Sequence, residues 1–230
     1  MKIAGLQKMT LLDYPGKIAA TVFLGGCNFR CPYCHNASLV EPGRQAQEIA
    51  EDEFFAFLQK RKGLLDGVCV SGGEPLVQDG LEPFFQRIKD LGFLVKLDTN
   101  GSYPGKLRQL AGGGLIDYVA MDIKNSPAKY AATAGIAGDV LPDVRESVAY
   151  LLAGSAAYEF RTTVVKTMHT MEDIVEIGRW IQGAQRYFLQ NFADSGDVIQ
   201  PGLRGVETAD IQAFADAVRA YVPSVQVRNK

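Results

Sequence analysis

The chain predicts an α/β fold: an open partial (β/α)6 barrel with parallel strands. Three observations carry that expectation. Apolar, β-rich runs alternate with helix-patterned segments about six times, the pattern that builds a parallel sheet with helices outside. The runs end in glycine or polar residues, and parallel α/β folds keep their sites at C-terminal strand ends. Six units are too few to complete an eight-fold barrel, so a wide lateral mouth is expected.

The elements follow in order after a short N-terminal extension, 1–16. "KIAATVFLGG" (17–26) reads as a buried strand ending in glycines. "EIAEDEFFAFLQKRKG" (48–63) places Ile49, Phe54, Phe57 and Leu58 near helical spacing and closes on glycine. "GVCVSGG" (67–73) is a strand, "GLEPFFQRIKDLG" (80–92) a helix, and "FLVKLDTNG" (93–101) a strand with a polar end. "YPGKLRQLA" (103–111) is a weaker helix, and "DYVAMDIK" (117–124) a strand with a charged end. The stretch 123–143 reads as a long loop or short helix with a capacity for movement. Then come a helix (141–154), the strand "YEFRTTVV" (158–165), a helix (171–183), the strand "RYFLQNF" (186–192) and a helix (207–222). The whole chain, 1–230, is read as one domain.

Composition narrows the function. The chain has 230 residues, 47% hydrophobic and 22% charged, enough for one real core. A net charge of -2 gives no basic field, so nucleic acid is not an expected partner. No apolar run reaches the roughly 20 residues of a bilayer span, and Gln7, Lys8 and Asp13 interrupt the N-terminus as a signal peptide. A cytoplasmic protein with reduced or metal-bound cysteines is the expectation.

Three of the four cysteines lie in "GGCNFRCPYCHN" (25–36), at spacings x3 and x2. As a dithiol redox site, "CPYC" would need a helix start to lower the thiol pKa. The following "HNASLVEPGRQ" has no helical period and includes Pro42 and Gly43. As "CPYCH" it matches a haem-attachment pattern, which leaves Cys27 unexplained. As a structural zinc site it is one ligand short. Cys69, between Val68 and Val70 in an apolar run, reads as a small buried hydrophobe. A [4Fe–4S] cube on three thiolates makes the odd count meaningful, because one iron stays open for a ligand. Gly25, Gly26 and Pro32 would shape the loop around it.

"CNFRCPYC" resembles the CxxxCxxC signature of the radical S-adenosylmethionine enzymes, with aromatic Tyr33 before the last cysteine. "SGGEPL" (71–76) resembles that family's glycine-glycine-glutamate motif. "LDTNG" (97–101) and "MDIK" (121–124) resemble segments of the glycyl-radical-enzyme activases. The resemblance runs in order along nearly the whole chain. It implies a [4Fe–4S] cluster on Cys27, Cys31 and Cys34, and S-adenosylmethionine as cofactor. Backbone at Tyr33 would meet adenine, and Gly72, Gly73 and Glu74 would hold the methionine ammonium. Asp98, Thr99, Asp122 and Lys124 would border the cofactor carboxylate or a monovalent cation. Arg161 would pair with a carboxylate or ribose, or serve as a structural salt bridge. His35 is read as either near the cluster or loop-shaping, and His169 as either functional or solvated or capping.

The stretch "LQKMTLLDYPGKIAATVFLGGCNFRCPYCHN" is similar to the longer type of anaerobic ribonucleoside-triphosphate reductase activating proteins. Pyruvate formate-lyase activases usually carry Asp-Gly-Pro-Gly where this chain reads "DYPGK". The implied reaction takes a hydrogen from a backbone glycine of the reductase, with flavodoxin or ferredoxin as electron donor. Activation of another glycyl-radical enzyme such as pyruvate formate-lyase, a radical reaction on a small molecule, and a non-catalytic iron–sulfur or zinc module remain as alternatives.

Overall fold

The computed structural model describes residues 1–40, 48–154 and 156–229. Pro42 and Gly43, invoked above against a redox helix, lie outside the described residues. Eight strands form one sheet in the order β1 to β8. They are β1 Ile3–Thr10, β2 Ala19–Leu24, β3 Gly67–Gly72, β4 Leu94–Thr99, β5 Tyr118–Asp122, β6 Ala157–Val164, β7 Tyr187–Asn191 and β8 Val225–Asn229. Neighbours from β2 to β8 pair in parallel, and β1 pairs antiparallel with β2.

The helices are α1 Ala37–Val40, α2 Glu51–Gln59, α3 Leu81–Asp90, α4 Pro104–Gly112, α5 Tyr130–Ala134, α6 Leu141–Leu152, α7 Met171–Trp180 and α8 Thr208–Val218. Six parallel crossovers therefore occur where the sequence places six β–α units. Two strands were not foreseen. Residues 1–16, read as an extension, supply β1 at one edge of the sheet, and β8 forms the other edge. The stretch 123–143 holds α5, whose Tyr130 is buried against Trp180 with ring centroids 5.9 Å apart.

Alternation along each strand sends side chains to two different interiors. One set, including Val22, Leu24, Val70, Leu97, Val119 and Phe160, joins the apolar core under the helices. There Phe54 of α2 stacks on Phe84 of α3 at 5.5 Å. Each such fully buried ring is worth about 2–3 kcal/mol relative to exposure. The other set faces the hollow of the curved sheet. Tyr14, Ala19 and Tyr118, with Leu94, close its lower end as a separate apolar cluster. Above them, cross-strand register lines up Thr21, Cys69 and Lys96. Higher still, Asp122 sits opposite Arg161. The hollow thus passes from an apolar floor to a charged rim. Among the described residues no helix is long and apolar enough to cross a membrane.

Candidate active site at the C-terminal rim of the sheet

The cysteine loop leaves β2 and runs over the sheet's C-terminal rim. Gly26 turns the chain with φ +91°, a left-handed conformation suited to glycine. Cys31 is buried, Cys27 and Cys34 are half-buried, and all are free thiols. The loop is internally braced. The backbone N–H of Phe29 donates to Cys27 Sγ at 3.3 Å, and that of Cys34 to the Cys31 carbonyl at 2.9 Å. Burial pushes the Cys27 thiol up to about 12 and Cys31 up to about 11, and raises Cys34 as well. Deprotonation to ligating thiolates therefore needs a nearby positive charge such as a metal supplies.

The end of β3 forms a cradle for this loop. Gly73 N–H donates to the Leu24 carbonyl and Glu74 N–H to the Gly26 carbonyl, both at 2.9 Å. A Cβ on Gly73 would lie 2.0 Å from the Gly26 carbonyl oxygen and 3.2 Å from Cys27 Cβ. On Gly72, whose φ is +123°, it would lie 2.3 Å from the Leu24 carbonyl oxygen. Neither glycine can carry a side chain without moving the loop. Among the described residues no three cysteine, histidine or carboxylate side chains converge on a single metal ion. Three thiols on one loop over a backbone cradle that excludes side chains nevertheless have the donor chemistry of an iron–sulfur cluster, where each thiolate takes a different iron.

Glu74 is almost completely buried and uses both carboxylate oxygens within the protein. Leu76 N–H and Thr99 Oγ1 donate to Oε1 at 3.0 and 2.9 Å, and Asn100 N–H donates to Oε2 at 2.6 Å. Burial pushes its pKa up to about 7 against these donors. Its carboxylate welds the ends of β3 and β4 together. A second network ties the same turn to the cysteine loop. Asn100 Nδ2 donates to Asn28 Oδ1 at 3.0 Å, and Asn28 Nδ2 donates to Ser102 Oγ at 2.8 Å. The sequence marks Asn100 only as part of a polar strand end and gives no role to Asn28 or Ser102, although "CN" and "TNGS" lie at the motifs.

Beside this frame runs a ladder of alternating charge. Lys96 pairs with Asp98, and Arg161 bridges Asp98 at 3.3 Å and Asp122 at 2.8 Å. Lys124 closes the ladder on Asp122 at 3.0 Å. The neighbouring cations hold both carboxylates below their ordinary range despite burial. Three cations face two anions, which leaves the ladder one positive charge in excess. Arg161 thus makes the structural salt bridges that were one of its two readings. Lys96 was missed, because a lysine between Val95 and Leu97 looks like the polar face of a half-exposed strand.

Other sequence-selected residues fall nearby. The Tyr33 ring is buried beneath the loop, and its hydroxyl has no hydrogen-bond partner among the described residues. His169, read as either functional or solvated or capping, is buried: Nε2 donates to the Lys124 carbonyl at 2.8 Å and Nδ1 accepts from Val165 N–H at 3.1 Å. It pins the end of β5 to that of β6. His35 stacks on Phe192 with centroids 5.0 Å apart, and its Nε2 donates to the Ala193 carbonyl at 2.8 Å. Cys69 is fully buried but faces the hollow, its Sγ 3.7 Å from Lys96 Nζ, and not the apolar side of its strand.

The loop after β7 straps the cysteine loop down. Ser38 donates through N–H and Oγ to the Asp197 carboxylate, and Gln200 N–H donates to the Pro32 carbonyl at 2.8 Å. The fold and rim together define a class: an open parallel half-barrel whose first rim loop presents three thiols over a glycine cradle.

Residues 21–181 match the Radical SAM superfamily. The MJ1227 protein of Methanocaldococcus jannaschii, named for glycyl-radical enzyme activation, is 30% identical over 98% of this chain and 95% of its own. The pyruvate formate-lyase-activating enzyme of Listeria monocytogenes is 34% identical over 56% of each chain. Among solved structures, Streptococcus suis SuiB bound to S-adenosylmethionine superposes with a TM-score of 0.69 at 14% identity, over 89% of this chain and 48% of SuiB. A domain of a Bacteroides vulgatus pyruvate-formate lyase-activating enzyme gives 0.58 at 12% identity, over 70% of this chain and 98% of that domain. These two likenesses concern the fold alone, and the chain spans about half the length of SuiB and of the Listeria enzyme. The chain belongs to the Radical SAM superfamily and, within it, to the glycyl-radical-enzyme activating family.

Proposed function

We propose that this chain, as one domain of residues 1–230, activates anaerobic ribonucleoside-triphosphate reductase by generating its glycyl radical. A [4Fe–4S] cluster and S-adenosylmethionine, when bound, supply a 5′-deoxyadenosyl radical that removes a hydrogen atom from a backbone glycine of the partner. Cys27, Cys31 and Cys34 would hold the cluster and leave one iron for the cofactor's methionine end. Gly72 and Gly73 offer backbone to the ammonium group, with Glu74 fixing their turn from behind. Thr99, Asp98, Asp122, Lys124 and Arg161 line the approach, and the ladder's excess positive charge suits a carboxylate. Lys96, Arg161 and Lys124 already neutralise the two aspartates, so a monovalent cation there would have to displace protein cations. Backbone at Tyr33 would meet adenine.

The single observation that carries the reading is the three-thiol loop seated on the Gly72–Gly73 cradle. The reductase is favoured as target by the likeness of residues 6–36 to its activases, and a flavodoxin or ferredoxin would deliver the electron. The shorter match to pyruvate formate-lyase-activating enzymes makes pyruvate formate-lyase the second reading.

The test is anaerobic. The reconstituted, reduced chain is mixed with S-adenosylmethionine and purified reductase, and electron paramagnetic resonance looks for a glycyl doublet. The expected doublet disappears when Cys27, Cys31 or Cys34 is replaced. Cofactor cleavage without a doublet on the reductase, but with one on pyruvate formate-lyase, would move the target.

A further inference from the structure

The end of the sheet opposite the cysteine loop carries an unusual surface. Among the described residues, the exposed large hydrophobics are Met9, Leu11, Leu12, Ile18 and Leu64, with Leu12 87% exposed. Met9 lies near the end of β1, Leu11, Leu12 and Ile18 on the β1–β2 turn, and Leu64 on the adjoining α2–β3 turn. Asp66 N–H donates to the Ile18 carbonyl at 2.7 Å, and Ile18 N–H donates to the Asp66 carboxylate at 2.8 Å, which joins the turns. Pairing of Thr10 with Ala19 sets Leu11 across from Ile18. Five exposed apolar side chains gathered in one place mark an interaction surface more strongly than scattered ones.

The charges around the patch are mostly positive. Lys8, Lys60, Arg61 and Lys62 are exposed, and Lys17 is half-exposed. Two acids lie among them, Asp66 exposed and Asp13 half-exposed, each accepting one hydrogen bond: Asp66 from Ile18 N–H and Asp13 from Thr21 Oγ1 at 2.6 Å, so five cations still outnumber two anions. A basic fringe round an apolar centre complements an acidic rim round an apolar knob.

That fringe argues against a second copy of this chain. A two-fold dimer through the patch would set Lys8, Lys17 and Lys60–Lys62 against themselves. The patch lies one strand length from the cysteine loop, and the six residues of β2 span about 20 Å. A partner seated here must cover that distance to reach the rim.

We propose that this patch is the docking surface for the protein substrate, which presents an acidic, apolar-tipped surface to it and sends its glycine loop to the rim. The inference rests on the activase reading above and adds where the substrate is gripped. Affinity then comes from a surface remote from the chemistry, and the rim stays free for the cofactor.

The experiment uses the cluster-loaded full chain, purified reductase as the probe, and the variants Leu12→Asp and Lys8→Glu/Lys62→Glu. Because these side chains are exposed, the fold and the cleavage of S-adenosylmethionine without reductase should be unchanged. Leu12→Asp should raise the KM for reductase about tenfold or more, with kcat at saturation retained. The charge reversal should slow association and weaken its salt dependence. If wild-type chain activates the reductase and both variants match it in KM and affinity, the docking inference is overturned while the activase reading stands. A wild-type chain that fails with reductase but activates pyruvate formate-lyase transfers the same KM comparison to that protein. Failure with both overturns both proposals. Concentration-dependent self-association that Leu12→Asp abolishes, or sedimentation with phosphatidylserine vesicles that it abolishes, would also overturn the inference.

Discussion

Asp122 shows how single residues at the rim are held by their neighbours. It sits between Arg161 and Lys124, and these cations keep its carboxyl below the ordinary value of 3.8. A depressed folded pKa contributes stability that is present above 3.8 and is lost as pH falls toward the folded value. Asp122→Asn should therefore cost on the order of 1–2 kcal/mol at pH 7, because Arg161 and Lys124 lose a half-buried partner. Below pH 4 the wild type should lose stability faster than the variant, so the two converge. Urea unfolding at pH 7 and pH 3 measures both slopes, and parallel slopes would contradict the ladder's role. At this scale the sequence was legible for residues that announce themselves by spacing or rarity. The cysteines, Gly72 and Gly73 fall into that group. Lys96 and His169 do not, because only the closed face of the sheet turns a strand lysine or a connector histidine into an interior group.

At the scale of elements, the six crossovers were legible because each pairs a short apolar run with a helical period. The flanking strands were hidden for physical reasons. β1 is interrupted by register irregularities against β2 and leaves Gln7, Lys8 and Met9 exposed, so its alternation is broken. β8 is a five-residue strand at the end of the chain. The approach of β3 to the cysteine loop was legible only as a motif, since the sequence cannot display the 2.0 Å clearance at Gly73. That clearance gives a sharp expectation. Gly73→Ala must push on backbone and not on a movable side-chain tip, so the loop should shift while the sheet persists. Iron bound after reconstitution should fall well below wild type with far-ultraviolet circular dichroism unchanged. Full iron content in the variant would show that the cradle is more yielding than its geometry says.

At the scale of the whole molecule, contacts of long sequence separation build the site. Asp197 grips Ser38 across 159 residues, and His35 reaches Ala193 across 158. Asp197→Ala should leave the overall fold intact, because its partner Ser38 lies on the four-residue helix α1 outside the sheet, yet loosen the strap over the cysteines. Loss of iron to a chelator, followed by absorbance, should then run several-fold faster than in wild type. An unchanged rate would mean that the apolar contacts of Val198 hold the strap without the carboxylate. No sequence pattern signals this arrangement, since "ADSGDVIQPG" reads as an ordinary polar connection.

The strap also sets an order of events during synthesis. A ribosome completes the three thiols early and their cover only after most of the chain has emerged. A nascent chain stalled before residue 193 would hold Cys27, Cys31 and Cys34 on a loop still lacking its strap. Metal delivered during translation would meet a loop without its strap, and about the last sixth of the polypeptide would then close over it.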